Sequence, residues 1–233
     1  MNLFYQPLIS EGVHHLDPDE SKHVVRALRR RAGDLIHVTD GKGSCFEARI
    51  VSDDQSKCAF EIISEQREPH TNHRIHIAIS PLSHPDRLEW FVEKAVELGA
   101  DKITLINCDR TEKRHVKTER LVKIAVGAMK QSQRFTLPPI EGPVEFAAFC
   151  PSSKEDQRII AFVDAANPLH LFTRAEKGKS YVICIGPEGD FTESEVKHSL
   201  LNGFEKVSLG THRLRSETAG LAACHMLDLV NLS

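Results

Sequence analysis

Tyr181-Val182-Ile183-Cys184-Ile185-Gly186-Pro187-Glu188-Gly189-Asp190-Phe191-Thr192-Glu193-Ser194-Glu195 is the stretch whose reading decides the fold. Its first five residues are a short, wholly apolar run of the kind a buried parallel strand shows. Thr192 to Glu195 is a capping box, which starts a helix, and Gly203 is placed to close it. Between strand and helix lies Gly186 to Phe191, where glycines permit close backbone approach and Pro187 stiffens the turn. The loop has neither the lysine of a phosphate-binding Walker loop nor the spacing of a dinucleotide fingerprint. Glu188 would repel phosphate, so a ligand of positive character, a sulfonium or an amine, suits it better. Alone, the segment reads as readily as a tight surface turn.

The same strand and helix alternation extends outward. Residues 75–79, 103–107, 159–163 and 206–209 are further short apolar runs. A helix over 86–98 gathers Leu88, Phe91, Val92, Ala95 and Val96 on one face, with Gly99 as its left-handed stop. A second helix, over about 118–133, turns Leu121, Ile124, Ala125, Ala128, Met129 and Ser132 inward. Its other side carries Arg120, Lys123, Lys130 and Arg134, which at about 100° per residue fall within about 80° of arc and predict a basic ridge. Alternating elements of this kind predict an α/β domain over residues 74–233, a parallel sheet with helices on both faces.

Residues 1–68 read differently. After a helix around 18–31 come β-forming runs at 35–39, 46–51 and 59–63, punctuated by Asp40-Gly41-Lys42-Gly43 and Ser52-Asp53-Asp54-Gln55 as hairpin turns. They predict a small, mostly antiparallel β-barrel, and the polar stretch 66–73 reads as its linker to the second domain.

A chain of 233 residues with 40% hydrophobic content can bury a large core without metals or disulfides. The six cysteines are far apart with no Cys-x-x-Cys pair, as expected of small buried residues in a reducing compartment. Neither a secretory start nor a run approaching the roughly 20 apolar residues of a membrane span is present, which predicts a soluble cytoplasmic protein. A net charge of −3 does not advertise a nucleic-acid partner, but basic residues concentrate at Arg26, Arg29, Arg30 and Arg31 and again between Arg110 and Arg134.

The loop one strand later decides between the readings of Gly186 to Phe191. Leu209-Gly210-Thr211-His212-Arg213-Leu214-Arg215-Ser216-Glu217-Thr218-Ala219-Gly220 packs an unusual density of functional side chains between a strand and the last apolar helix. With Asp86-Arg87, Lys94-Ala95-Val96-Glu97-Leu98-Gly99 and Gln131-Ser132-Gln133-Arg134, these loops resemble the ribosomal RNA small subunit methyltransferase E family of the SPOUT superfamily over essentially the whole chain. Two departures stand out: the family usually has glycine at Asp190, and Arg-Ile-Leu-Arg where this chain has His212 to Arg215.

The resemblance implies methylation of a 16S rRNA uridine at N3, a PUA-like barrel ahead of the catalytic domain, a C-terminal trefoil knot, and a homodimer. It implies S-adenosylmethionine held by three segments: Phe162 and Val163; Ile185, Gly186, Pro187, Glu188 and Gly189; and Leu209, Gly210, Arg213 and Leu214. Arg215 is the candidate for stabilising charge on the uracil carbonyls, since a guanidinium offers fixed donors and stays protonated. Glu217 is the candidate to orient Arg215 or to accept a proton, and reads equally as an acid at a helix start. Arg87, Arg26, Arg29 and the ridge Arg120, Lys123, Lys130 and Arg134 are candidate contacts to RNA of the small ribosomal subunit, and phosphate contacts of this sort position without reading sequence. His14, His15, His73 and His76 read as surface or strand residues, and no metal or membrane partner is expected. Methylation of a ribose 2′-hydroxyl or a guanine, and ribosome assembly without catalysis, remain alternatives.

Overall fold

A computed structural model of the chain describes residues 2–162 and 169–232. They form two compact units, one of residues 1–70 with 126–137 and one of residues 71–125 with 138–233.

In the first unit, β2 (Leu35–Thr39), β3 (Ser44–Ser52) and β4 (Ala59–Arg67) form an antiparallel meander, and β1 (Leu3–Tyr5) adds to β2 in parallel. Phe4, Leu16, Val24, Val38, Phe46, Ile50 and Phe60 pack into its core. The glycine-rich turn after β2 has Gly41 and Gly43 at φ of 72° and 100°, the left-handed region that favours glycine. Phe135 joins this unit through its carbonyl, which accepts from the Gly43 amide (3.0 Å) and from Thr39 Oγ1 (3.0 Å).

The helix expected around 18–31 is shorter and changes pitch. Asp17 caps α1 (Pro18–Lys22) by accepting from the amides of Asp19 and Glu20, and Pro18 suits the first turn, where its missing N–H costs nothing. The chain then widens into a π turn at His23–Ala27, closed by the Leu28 amide on the His23 carbonyl, and ends as Arg29 adopts a φ of 55°. Strand β4 also runs on to Arg67, into the stretch read as linker.

The second unit is a six-stranded, wholly parallel sheet in the order β10-β8-β9-β5-β6-β7. Its strands are β5 (Arg74–Ile79), β6 (Lys102–Asn107), β7 (Ile140–Glu145), β8 (Gln157–Ala161), β9 (Ser180–Ile185) and β10 (Glu205–Val207). Each of the five apolar runs thus overlaps a strand, with β8 and β10 ending at Ala161 and Val207. β7 is additional: Gly142-Pro143 interrupts its pattern, and it lies at the sheet edge, where proline is tolerated.

Helices cover both faces, and the short α5 (Leu171–Arg174) lies against α7 (Ser216–Leu232). α4 (Phe146–Ser152) packs with α6 (Glu193–Leu201) over Ala78, Ile106, Val182 and Cys184. On the other side α2 (Pro85–Glu97) packs against α7 (Ser216–Leu232), which also contacts β5 and β9. The capping box of α6 is present, Thr192 Oγ1 accepting from the Glu195 amide while Glu195 accepts from the Thr192 amide. All six cysteines are free and buried, and burial pushes the thiols of Cys45 and Cys58 up to about 11, so these two are inert packing residues at neutral pH.

The α2 and α7 contact is close because residue 220 is glycine. A Cβ there would lie 2.5 Å from Cε2 of the fully buried Phe91. Gly220→Ala is expected to destabilise the protein by about 1–3 kcal/mol, the usual cost of overpacking. Gly127→Ala, where a Cβ meets nothing within 4 Å on α3 (Thr118–Gln131), is expected to stabilise by up to about 1 kcal/mol. Thermal unfolding checks the opposite signs, and an unchanged midpoint for Gly220→Ala would refute the packing account.

Candidate active site

The loops following β8, β9 and β10 come together beyond the carboxyl ends of three adjacent strands, where open α/β sheets bind their ligands. They enclose a cavity of about 890 Å³. Ala161 and Phe162 enter it from β8, Ile185 and Gly186 to Glu188 from β9, and Val207 and the 208–215 loop from β10.

Each loop is held by the others. Ser216 Oγ donates to the Gly186 carbonyl (2.8 Å), joining the start of α7 to the first loop. Arg213 Nη2 reaches the Glu188 carbonyl at 3.4 Å. From the loop after β6, Arg110 Nη1 donates to the Gly189 carbonyl (2.6 Å). Gly186 is a packing requirement, since a Cβ would meet the Phe191 ring at 3.1 Å, whereas at Gly210 it would meet no atom within 4 Å and a φ of 142° alone demands glycine. Asp190 takes a φ of 62° as its amide closes a turn on the Pro187 carbonyl. Aspartate is among the few residues that visit this region readily, so it can stand where glycine is usual.

Of the residues singled out for cofactor binding, Phe162, Ile185, Gly186, Pro187, Glu188, Leu209, Gly210, Arg213 and Leu214 line the cavity. Gly189 is not in the wall: it faces the Arg110 side chain. Val163 lies outside the described residues. The Glu188 carboxylate is more committed than its sequence context suggests, because Oε1 accepts from the Ser83 amide (3.0 Å). Burial pushes this carboxyl up, but the hydrogen bonds from Ser83 and its own backbone, with the charge of Arg87, outweigh that and hold it below the ordinary value.

Arg215 and Glu217 also line the cavity. They are not paired with each other, and neither side chain makes a hydrogen bond or ion pair with a described residue. Arg215 is exposed, whereas Glu217, in the first turn of α7, is only 7% exposed. Its carboxylate is thus left uncommitted in the wall of the cavity.

Arg87 is in the same wall rather than on an outer surface. The expected ridge on α3 is broken: Arg120 pairs with Glu89 (2.6 Å), Lys130 pairs with Glu20, and the helix ends at Gln131, with Gln133 at a φ of 59°, before Arg134. Lys123 is exposed, and in the first unit Arg26 donates to Gln55 (2.5 Å) while Arg29 is exposed. His76 is a strand residue, in β5. It is 5% exposed, with Nδ1 on Glu155 (2.7 Å) and Nε2 on Thr104 (2.8 Å). Sequence reasoning missed His170, whose Nδ1 accepts from the Phe172 amide (3.2 Å) at the cavity wall; a single histidine after the 163–168 stretch carries no spacing signal.

The RNA methyltransferase domain family matches residues 69–228, which include every residue of this cavity. Ribosomal RNA small subunit methyltransferase E of Bacillus subtilis (strain 168) is 31% identical over 221 residues, covering 88% of this chain and 85% of that protein. The chain belongs to the ribosomal RNA small subunit methyltransferase E family. Among solved structures, a probable rRNA-methyltransferase from Porphyromonas gingivalis superposes with a TM-score of 0.94 at 39% identity, covering 100% of this chain and 99% of that one. A ribosomal RNA small subunit methyltransferase E from Neisseria gonorrhoeae, solved bound to S-adenosyl methionine, gives 0.85 at 28% identity and covers 99% and 98%.

The contacts of this methyltransferase E family member account for two further motifs. Lys94 to Gly99 serves packing: Lys94 is held by Glu93 (2.7 Å) and Glu97 (2.8 Å), and Cys224 Sγ of α7 rests on the Leu98 carbonyl at 3.7 Å. Gln131 to Arg134 is where α3 stops.

Proposed function

We propose that this protein transfers a methyl group from S-adenosylmethionine to N3 of a uridine in 16S rRNA of the small ribosomal subunit. The observation that carries the reading is the unpaired couple Arg215 and Glu217 in the wall of one cavity built by three strand-end loops. The family and its cofactor-bound relative support the chemistry.

The residues present fit the cofactor. The cavity is of the size that ligand sites of about 300–1,000 Å³ span, and it offers apolar side chains and exposed backbone edges. Ile185, Gly186, Leu209, Gly210 and Leu214 would hold the cofactor largely through backbone groups, with Phe162 flanking it. When bound, S-adenosylmethionine supplies an electrophilic methyl carbon: the N3–C bond forms as the C–S bond breaks, the electron pair stays on sulfur, and the N3 proton has gone to a base.

The chain's own residues then have three tasks. The loops must hold the uracil edge in line, which lowers the entropic barrier. Glu217 accepts the N3 proton: it lines the cavity and its carboxylate is committed to no other described residue. Arg215 donates to a uracil carbonyl as negative charge develops there.

The first unit is read as a PUA-like RNA-binding module carrying Arg26 and Arg29. The path from β10 at the sheet edge back to α7, packed on β5, β9 and α2, supports a C-terminal trefoil knot. A homodimer acting in the cytoplasm completes the reading. No helix among the described residues is long and apolar enough to cross a membrane.

Two measurements test it. Calorimetry should show S-adenosylmethionine binding, and its absence would leave only an RNA-binding factor. Small subunits from cells lacking the protein should accept label and then arrest reverse transcriptase at one uridine. Full extension past the labelled site would instead indicate a ribose methyl, and label in guanine or in transfer RNA alone would overturn the substrate.

A further inference from the structure

We infer that Arg87 is a second catalytic cation, donating to the uracil carbonyl on the opposite side of N3 from Arg215; this rests on the uracil-N3 reading above. The reasoning begins with the substrate. The N3 proton and the new methyl group occupy the same in-plane position on the ring, so a base hydrogen-bonded to N3 blocks the line of attack. Proton removal must therefore precede transfer, and the uracil anion has to persist in the cavity. Its charge spreads onto O2 and O4, which flank N3 on either side. One guanidinium cannot reach both carbonyls, because N3 and the approaching methyl lie between them.

A second donor must come from another direction and be free to act. Arg213 is engaged with the Glu188 carbonyl. Arg87 lines the same cavity from α2, an element separate from α7, whose first turn carries Glu217 and which Arg215 immediately precedes. It is half-buried, and its guanidinium makes no hydrogen bond or ion pair with a described residue. Its place relative to Glu217 is set by packing: Leu88 and Phe91 on the same helix are buried, and Phe91 lies under Gly220 of α7. Glu188, fixed by the Ser83 amide, supplies a nearby counter-charge without consuming the donors of Arg87. A guanidinium on the rigid helix α2, set across from the one on the loop residue that precedes α7, suits a delocalised anion better than the loop guanidinium alone.

The test compares Arg87→Ala and Arg87→Lys in the full chain, with small subunits from cells lacking the protein. Arg87→Ala is expected to lower kcat by about 10²-fold, the scale of one lost donor at a developing charge, with KM and S-adenosylmethionine affinity unchanged. Arg87→Lys keeps the charge but not the fork, and should recover only part of the rate. Subunits containing 5-fluorouridine, whose N3 is more acidic, should restore much of the Arg87→Ala deficit. If instead kcat holds while KM rises and the salt dependence of log KM flattens by about one unit, Arg87 is a phosphate contact and the inference fails. A deficit of equal size on fluorinated RNA, or loss of S-adenosylmethionine affinity, also overturns it. Should Arg87→Ala melt early, Arg87→Lys carries the same comparison. Mapping the wild-type product in the same assay judges the uracil-N3 reading separately.

Discussion

Replacing Glu217 with glutamine is expected to lower kcat by about 10²–10⁴-fold, the range of a lost general base, while the melting temperature stays level. The two effects have one cause. Glu217 is 7% exposed and accepts no hydrogen bond from any described residue, so its carboxylate serves the cavity it lines and holds no contact that glutamine would break. Glutamine keeps the shape and removes the charge. The lost rate should return as pH rises, because solvent hydroxide can then remove the N3 proton. Kinetics against pH, with a melting curve, check both halves. A variant that melts early yet keeps its kcat would show Glu217 to be a structural acid at a helix start.

Arg215→Ala is expected to lower kcat by about 10²–10³-fold, without loss of S-adenosylmethionine affinity and with little change in stability. The side chain is exposed and unpaired, so its removal breaks no contact that holds the fold. Its loss should differ from that of Glu217→Gln in its pH dependence: raising pH supplies the anion but not the donor that stabilises it, so a deficit remains on the alkaline side. Steady-state kinetics across pH, with calorimetry for the cofactor, measure this. An unchanged kcat would remove Arg215 from the chemistry.

The catalytic half of the fold was largely legible because buried parallel strands write themselves as short apolar runs, and Thr192 to Glu195 marks a helix start by local hydrogen bonding alone. Where the rules are not local, legibility ends. β1 has three residues, too few for a period, and β7 hides behind Gly142-Pro143, which only an edge position excuses. The regular spacing of Arg120, Lys123, Lys130 and Arg134 promised a ridge, but partners distant in sequence, Glu89 and Glu20, neutralise two of the four. His76 looked unremarkable in its strand because Glu155, which pairs with it, lies 79 residues away.

The candidate site divides along the same line. By itself the sequence determined the strand, loop and helix order around Gly186 to Phe191 and Leu209 to Gly220, since period, glycine placement and capping act over a few residues. Only the tertiary structure decided which side chains are available. The sheet order β10-β8-β9 puts the two loops on one cavity, Ser83 and Arg110 take up atoms of the first loop, and the contact of Phe91 with Gly220 brings Arg87 to the cavity that Glu217 lines. Each of those decisions depends on partners far apart in the chain, and packing alone selects them.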